Sequence, residues 1–159
     1  MEFIKEKTCA VTGHRKLGGD FNEIKTEKIF KSLIKKGYNT FLIGMALGFD
    51  TSCFFILDNL KKEYKDIKLI ACIPCESQAE KFTEKQKEIY SVMLNKADEK
   101  IFVSKEYNRT CMMKRNIFMV DNASVLVAYL SKNKSKGGSY NTVNYALKKN
   151  VAILNVAVL

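Results

Sequence analysis

The chain has 159 residues and 47% hydrophobic content, enough for one domain with a full core and too apolar for a disordered chain. Its 27 Lys and Arg against 17 Asp and Glu give a formal charge of +10, which favours anionic partners. No apolar run approaches a membrane span, Val125–Leu130 being among the longest, and the start lacks a secretory apolar core; a soluble, cytoplasmic protein with no membrane partner is expected.

In chain order, Lys7–Gly13 (KTCAVTG) reads as a strand ending in glycine. Phe21–Lys36 follows as a helix, with Ile24, Ile29, Phe30, Leu33 and Ile34 at helical spacing and Gly37 just past its end. Asn39–Met45 is a second strand and Asp50–Tyr64 a helix with Asp50 as its N-cap. Ile67–Ile73 is a third strand, stopped by Pro74, the one proline. Glu76–Lys96 reads as one long helix and Lys100–Ser104 as a fourth strand. Cys111–Val120 is a helix with an apolar stripe of Met113, Ile117 and Val120; Ser124–Leu130, Ser139–Lys149 and Val151–Val156 complete the pattern as strand, helix and strand. Ser131–Lys136 is a polar loop, and no repeat or linker divides the chain, so residues 1–159 form a single domain. Strands that alternate with helices and read as unbroken apolar runs imply an α/β fold: a Rossmann-like, three-layer structure with a mostly parallel sheet of about six strands flanked by helices.

Several chemistries are not matched. Most of the charge excess is lysine on predicted helix surfaces (Lys25, Lys28, Lys31, Lys35, Lys36, Lys61, Lys62), which reads as a solvated face, and no basic stripe is interleaved with stacking aromatics. Five cysteines without a secretory signal suggest reduced thiols. Cys72 and Cys75 form one CxxC with no second pair, and His14 is the one histidine, so neither a metal nor a cofactor is expected.

Ligands of parallel sheets bind at the carboxyl ends of the strands. The turns there are GHRKLGGD (Gly13–Asp20), GMALGFD (Gly44–Asp50), PCESQ (Pro74–Gln78), SKEYNRTCMMKRN (Ser104–Asn116) and SKNKSKGGSYNT (Ser131–Thr142). Glycines cluster in three of them, as a phosphate-bearing ligand would require. Neither GxxxxGK[ST] nor GxGxxG is present, so a P-loop is excluded and a standard dinucleotide site is not supported. What remains is the helix start at Gly137–Thr142, where unpaired N–H groups favour an anion. Arg115 lies about 200° round its helix from Met113, outside the apolar stripe, and is either an ordinary exposed arginine or a ligand arginine.

The same turns resemble the SLOG superfamily, which joins the Lonely Guy phosphoribohydrolases, the Smf domain of DNA-processing protein A and YpsA-like bacterial proteins. GMALGFDTSC resembles the SGxARGxD turn of the Smf branch, and GGSYNTVNYALKKNVAILNV its SGSxxTAxxAxxxGR segment. VTGHR, ACIPCESQ and MMKRNIFMVDNASVLVAY are most similar to the YpsA-like branch, with its GHR, IPxxxQ and RNxxMVDxA elements in this order. The resemblance implies a pocket formed by Gly13, His14, Arg15, Gly44, Gly48, Asp50, Gln78, Arg115, Asn116, Gly137, Gly138, Ser139, Asn141, Thr142 and Asn144. Its implied ligand is a nucleotide, an ADP-ribose-like molecule or a cyclic nucleotide, with the anion near Gly138 and Ser139. Gln78 or Asn144 would read ribose or base. Lonely Guy enzymes carry an arginine, where Arg115 stands here, and a glutamate in PGGxGTxxE. The glutamate does not carry over: Thr142 is followed by Val143, Asn144, Tyr145 and Ala146. The resemblance therefore implies a sensor or sequestering protein with no catalytic residue. N-glycoside hydrolysis by another carboxylate (Asp50, Glu76 or Asp121) and a nucleic-acid or protein-interaction module remain as alternatives. A homo-oligomer, dimer or higher, is expected by analogy.

Overall fold

A computed structural model describes residues 2–132 and 135–158. Six strands form one sheet: β1 (Thr8–Gly13), β2 (Thr40–Ile43), β3 (Lys68–Ile73), β4 (Glu99–Phe102), β5 (Val125–Tyr129) and β6 (Ala152–Asn155). Five α-helices connect them: α1 (Glu23–Lys35), α2 (Phe49–Leu60), α3 (Glu84–Lys96), α4 (Cys111–Asp121) and α5 (Gly138–Lys148). The spatial order is β4-β3-β2-β1-β5-β6, and every neighbouring pair is parallel. The sheet is thus wholly parallel rather than mostly so. Right-handed crossovers in the two directions put α1, α2 and α3 on one face and α4 and α5 on the other. The two apolar clusters divide accordingly: Phe30, Leu57 and Met93 lie in one, Met119 and Ala146 in the other.

Central strands are buried on both faces, which is why they read as unbroken apolar runs. All five residues of β5 are buried, whereas the edge strands β4 and β6 are mostly exposed. Under the end of β1, Phe21, Phe49 and Tyr129 pack with ring centroids 5.6–6.0 Å apart. Pairs of this kind add about 0.5–1.5 kcal/mol each beyond burial. The cluster ties the β1–α1 turn to the start of α2, so it fixes two of the loops above the sheet. Among the described residues, no helix is long and apolar enough to cross a membrane.

Three elements differ from the sequence reading, one of them α2, which runs Phe49–Leu60 rather than Asp50–Tyr64. α3 begins at Glu84 rather than Glu76, because Thr83 and Gln86 form a reciprocal capping box and residues 76–82 are turns. On α4 the buried positions are Cys111, Arg115, Met119 and Val120; the Met113–Ile117 side is only half-buried. Of the Ser131–Lys136 loop, residues 133 and 134 lie outside the described residues. The five cysteines are buried and free. Burial pushes the Cys72 thiol up to about 12, the response of an inert, structural cysteine.

Candidate functional site

Strand order reverses between β1 and β5: the chain runs outward from β1 to β4, then returns to β1's other side. Crossovers diverge there and leave a crevice at the carboxyl ends. The crevice holds a cavity of about 340 Å³. Its walls are the end of β1 (Thr12–Arg15), the start of α2 (Ala46, Asp50), one face of α4 (Met112, Arg115, Asn116) and the entry to α5 (Lys136–Ser139).

The helix starts are not equivalent. α1 is capped by the Asn22 side chain, which accepts from the Lys25 N–H at 2.8 Å, and α3 by its capping box. The three helices that line the cavity, α2, α4 and α5, have no side-chain cap. At α5 the first intrahelical bond is Asn141 N–H to Gly137 O, which leaves the N–H groups of Gly138, Ser139 and Tyr140 without helical partners. α5 therefore offers orphan donors to the cavity, while the starts of α2 and α4, whose first N–H groups are taken by His14 O and Asn108 O, bring their positive dipole ends beside it. α1, the usual phosphate helix of dinucleotide folds, satisfies its own start, in keeping with the missing GxGxxG.

Arg115 is buried, with 5% of its surface exposed. This corrects the reading that an arginine off the Met113 stripe lies outside the interior. Cys111, Arg115 and Met119 share the inward face, and the arginine is carried to the ends of β2 and β3, where strand carbonyls accept it. Nη1 donates to Gly44 O and, at 3.3 Å, to Cys72 O; Nε donates to Asn116 Oδ1 at 2.8 Å. Nη2 has no hydrogen bond among the described residues, and Arg115 is one of the residues that line the cavity. Burial lowers the guanidinium's pKa, and the Asp50 charge opposes that.

Among the described residues, Asp50 is the one acid in the cavity wall. It is not the N-cap expected from sequence: Gly48 holds that position, and Asp50 lies two residues further on, 5% exposed. Oδ2 accepts from the Ala46 N–H at 3.1 Å, while Oδ1 is buried with no hydrogen-bond partner. Burial raises its carboxyl to about 6, against the lowering effects of Arg115, the Ala46 N–H and Arg15. A raised acid favours the fold in its neutral form. Its contribution is full below about pH 4 and is lost as pH rises through about 6. The stability difference between wild type and Asp50→Asn, measured by urea unfolding, should therefore fall by about 2–3 kcal/mol from pH 4 to pH 7.5. A difference that stays flat with pH would remove the assignment. Asp20 and Asp98 shift the other way but are common to both proteins and cancel.

His14 packs edge-on to Tyr129 at 5.3 Å and accepts the Ser131 N–H on Nε2 at 2.9 Å. Its neutral ring then carries the proton on Nδ1. The Tyr129 hydroxyl accepts from the Gly18 N–H at 3.0 Å and donates to Asp20 Oδ1, which anchors the β1–α1 turn. Arg15 is exposed at the rim, and among the described residues its side chain donates from Nη2 to the Met112 sulfur at 3.3 Å.

Of the residues expected at the site, Gly13, His14, Arg15, Asp50, Arg115, Asn116, Gly137, Gly138 and Ser139 line this cavity. The others do not. Gly44 and Gly48 shape the β2–α2 turn beneath it. Gln78 lies on a neighbouring cavity, its amide spent on Gly44 O at 3.0 Å and the Tyr90 hydroxyl at 3.2 Å. Thr142 is buried and gives its hydroxyl proton to Gly138 O at 2.8 Å, one turn back on its own helix. Asn141 is exposed and Asn144 half-buried, both outside the cavity wall. Tyr145 donates to Asp121 at 2.7 Å, at the far end of α4. Sequence reasoning missed Val11, Thr12, Ala46, Met112 and Lys136 as wall residues; proximity to the glycine turns was the signal for all but Met112, which sits one helical turn before Arg115 and Asn116.

Over residues 21–158 the chain matches the YpsA family model, the YspA SLOG family. The GHR element at the end of β1 precedes that match. The uncharacterized SPbeta prophage-derived protein YoqJ of Bacillus subtilis (strain 168) is 34% identical over 128 residues, which is 73% of this chain and 74% of the relative. DNA processing protein A from Streptococcus pneumoniae has the same fold, with a TM-score of 0.65 at 16% identity over 93% of this chain and 49% of that one. The protein of that name from Helicobacter pylori gives 0.63 at 18% identity, over 94% and 64%. The chain thus spans about half the length of the first of these solved chains and less than two thirds of the second.

Proposed function

The chain belongs to the YspA SLOG family, and we propose that it binds a nucleotide or nucleotide-derived ligand at the crevice between β1 and β5 and holds it without cutting it. The observation that carries this reading is the convergence of three uncapped helix starts with Arg15, Arg115 and Lys136 on one cavity. Its volume, about 340 Å³, lies at the small end of the range for ligand sites, roughly 300–1,000 Å³. The phosphate takes the N–H groups at the start of α5, and Arg115 and Arg15 add charge-assisted donors.

Thermal shift with AMP, ADP, ADP-ribose, cyclic dinucleotides and pyrophosphate tests it. At 100 times Kd a ligand adds about 2.7 kcal/mol of stability, a shift of several degrees. Ser139→Asp is the matched control. An acid in the first turn of α5 suits the helix dipole by about 0.3–1 kcal/mol, so the protein stays folded. The same charge repels a phosphate, so the ligand shift is expected to vanish. A folded wild type that no member of the panel stabilises would sink the reading, as would a shift that survives Ser139→Asp.

One observation favours a second reading. Asp50 is among the residues that line the cavity, and N-glycoside cleavage passes through a cationic state that a carboxylate stabilises. The usual chemistry needs two carboxyl groups, and among the described residues Asp50 is the one acid in the wall. Incubation with nucleoside monophosphates is therefore expected to release no free base; release that Asp50→Asn abolishes would establish the hydrolase instead. The protein from Helicobacter pylori binds single-stranded DNA, and this chain's formal charge of +10 suits a polyanion. Binding to an oligonucleotide that weakens steeply with salt would move the assignment to nucleic acid.

A further inference from the structure

A second cavity, about 450 Å³, adjoins the first and shares Arg15, Ala46 and Met112 with it. The contact between the Arg15 guanidinium and the Met112 thioether lies where the two meet. A thioether is a weak acceptor, so a phosphate in the first cavity outcompetes it for the arginine. The two spaces differ in chemistry. The first is ringed by helix starts and cations; the second carries Phe82, Tyr107 and Met112 on its wall, with Glu80, Lys81 and Gln86 beside them. Tyr107 is 66% exposed and has no ring partner among the described residues. Phe82 is half-buried and held edge-on against Tyr90 at 5.7 Å. A large aromatic side chain left open beside an anion cavity is the arrangement in which a base stacks.

We infer that the second cavity takes the aromatic base of a nucleotide whose phosphate sits at the start of α5, with Arg15 moving from Met112 to that phosphate as the ligand enters. The inference rests on the nucleotide-binding reading above and adds where the base goes and what it stacks on. Met112, released from Arg15, offers its sulfur to the ring edge. Gln78 serves as a fixed wall, since both ends of its amide are engaged.

The chain has no tryptophan, so Tyr107→Trp introduces a single reporter. The probes are AMP, GMP, CMP and UMP, compared with ribose 5-phosphate, which carries the same phosphate and sugar without a base. At least one nucleoside monophosphate should quench the emission of the introduced indole and bind at least about tenfold more tightly than ribose 5-phosphate. Tyr107→Ala, and separately Phe82→Ala, should remove most of that advantage and leave ribose 5-phosphate affinity unchanged. If all four nucleotides bind no better than ribose 5-phosphate, or if Tyr107→Ala weakens both classes equally, the base subsite is wrong while the phosphate site stands. If neither the nucleotides nor ribose 5-phosphate bind at all, the underlying reading has failed and the subsite falls with it.

Discussion

Gly48→Ala is expected to cost about 3 kcal/mol or more of folding stability, the largest effect of any one-methyl change at the site. Two causes add. Gly48 has φ 76° and ψ −118°, a region open to glycine and strained by about 1–3 kcal/mol for alanine. Its added Cβ would also stand 2.2 Å from the Arg15 carbonyl oxygen, a backbone atom that cannot turn aside. Relief requires the β1–α1 turn to lift, but that turn is held by the Phe49 N–H to His14 O bond and by Tyr129. Two other glycines separate the causes. Gly137 has φ 108° and ψ 178° with nothing within 4 Å of a built Cβ, so Gly137→Ala should show strain alone, about 1–3 kcal/mol. Gly19 has open space and no positive φ, so Gly19→Ala should fall within about 0.5 kcal/mol of wild type. Urea unfolding of the three variants checks the ranking. Equal losses at Gly48 and Gly137 would mean that the close approach of the two turns contributes nothing. Because Gly48 positions the backbone of Arg15, its variant should also lose the ligand-induced thermal shift.

That close approach shows where the sequence was legible and where it was not. The six strands and their order along the chain could be read because strands buried on both faces leave unbroken apolar runs, β5 above all. Their spatial order could not, since nothing local tells β5 to return beside β1. The start of α3 was misread although the signal was present: Thr83-x-x-Gln86 is a capping box, masked by the helix-favouring residues of Glu76–Phe82 that precede it. Asp50 was misread for a different reason. An aspartate is favoured both at an N-cap and in the first turn, and only the backbone of Gly48 decides between them. The glycine turns did point to the crevice. What they could not show is which hydroxyls and amides are already spent: Thr142 on its own helix, Gln78 on Gly44, Tyr145 on Asp121. Satisfaction of polar groups is a property of the assembled fold, not of spacing.

Arg115→Met is the second large effect, with an expected loss of about 3–5 kcal/mol. Methionine fills much of the same volume, so the loss reports polar partners rather than a cavity. Cys72 O loses a donor within the buried end of the sheet, and Gly44 O keeps only Gln78. Asp50 loses its principal cation, so its carboxyl rises above about 6 and the acid goes neutral at physiological pH. Arg115→Lys should recover little, because an ammonium on a flexible stem cannot serve two carbonyls and Asn116 at once. The coupling to Asp50 is tested by the cycle of Arg115→Met, Asp50→Asn and the double variant. With both charges removed, neither is stranded, and the double variant should be more stable than the sum of the single losses predicts by at least about 1 kcal/mol. Additive losses would show that the two side chains do not sense each other and that Asp50 keeps its charge by other means. Ligand binding separates structure from function in the same set: a double variant that folds but no longer gains stability from any phosphate-bearing ligand, beside an Asp50→Asn single variant that still does, would place the Arg115 charge in the site itself.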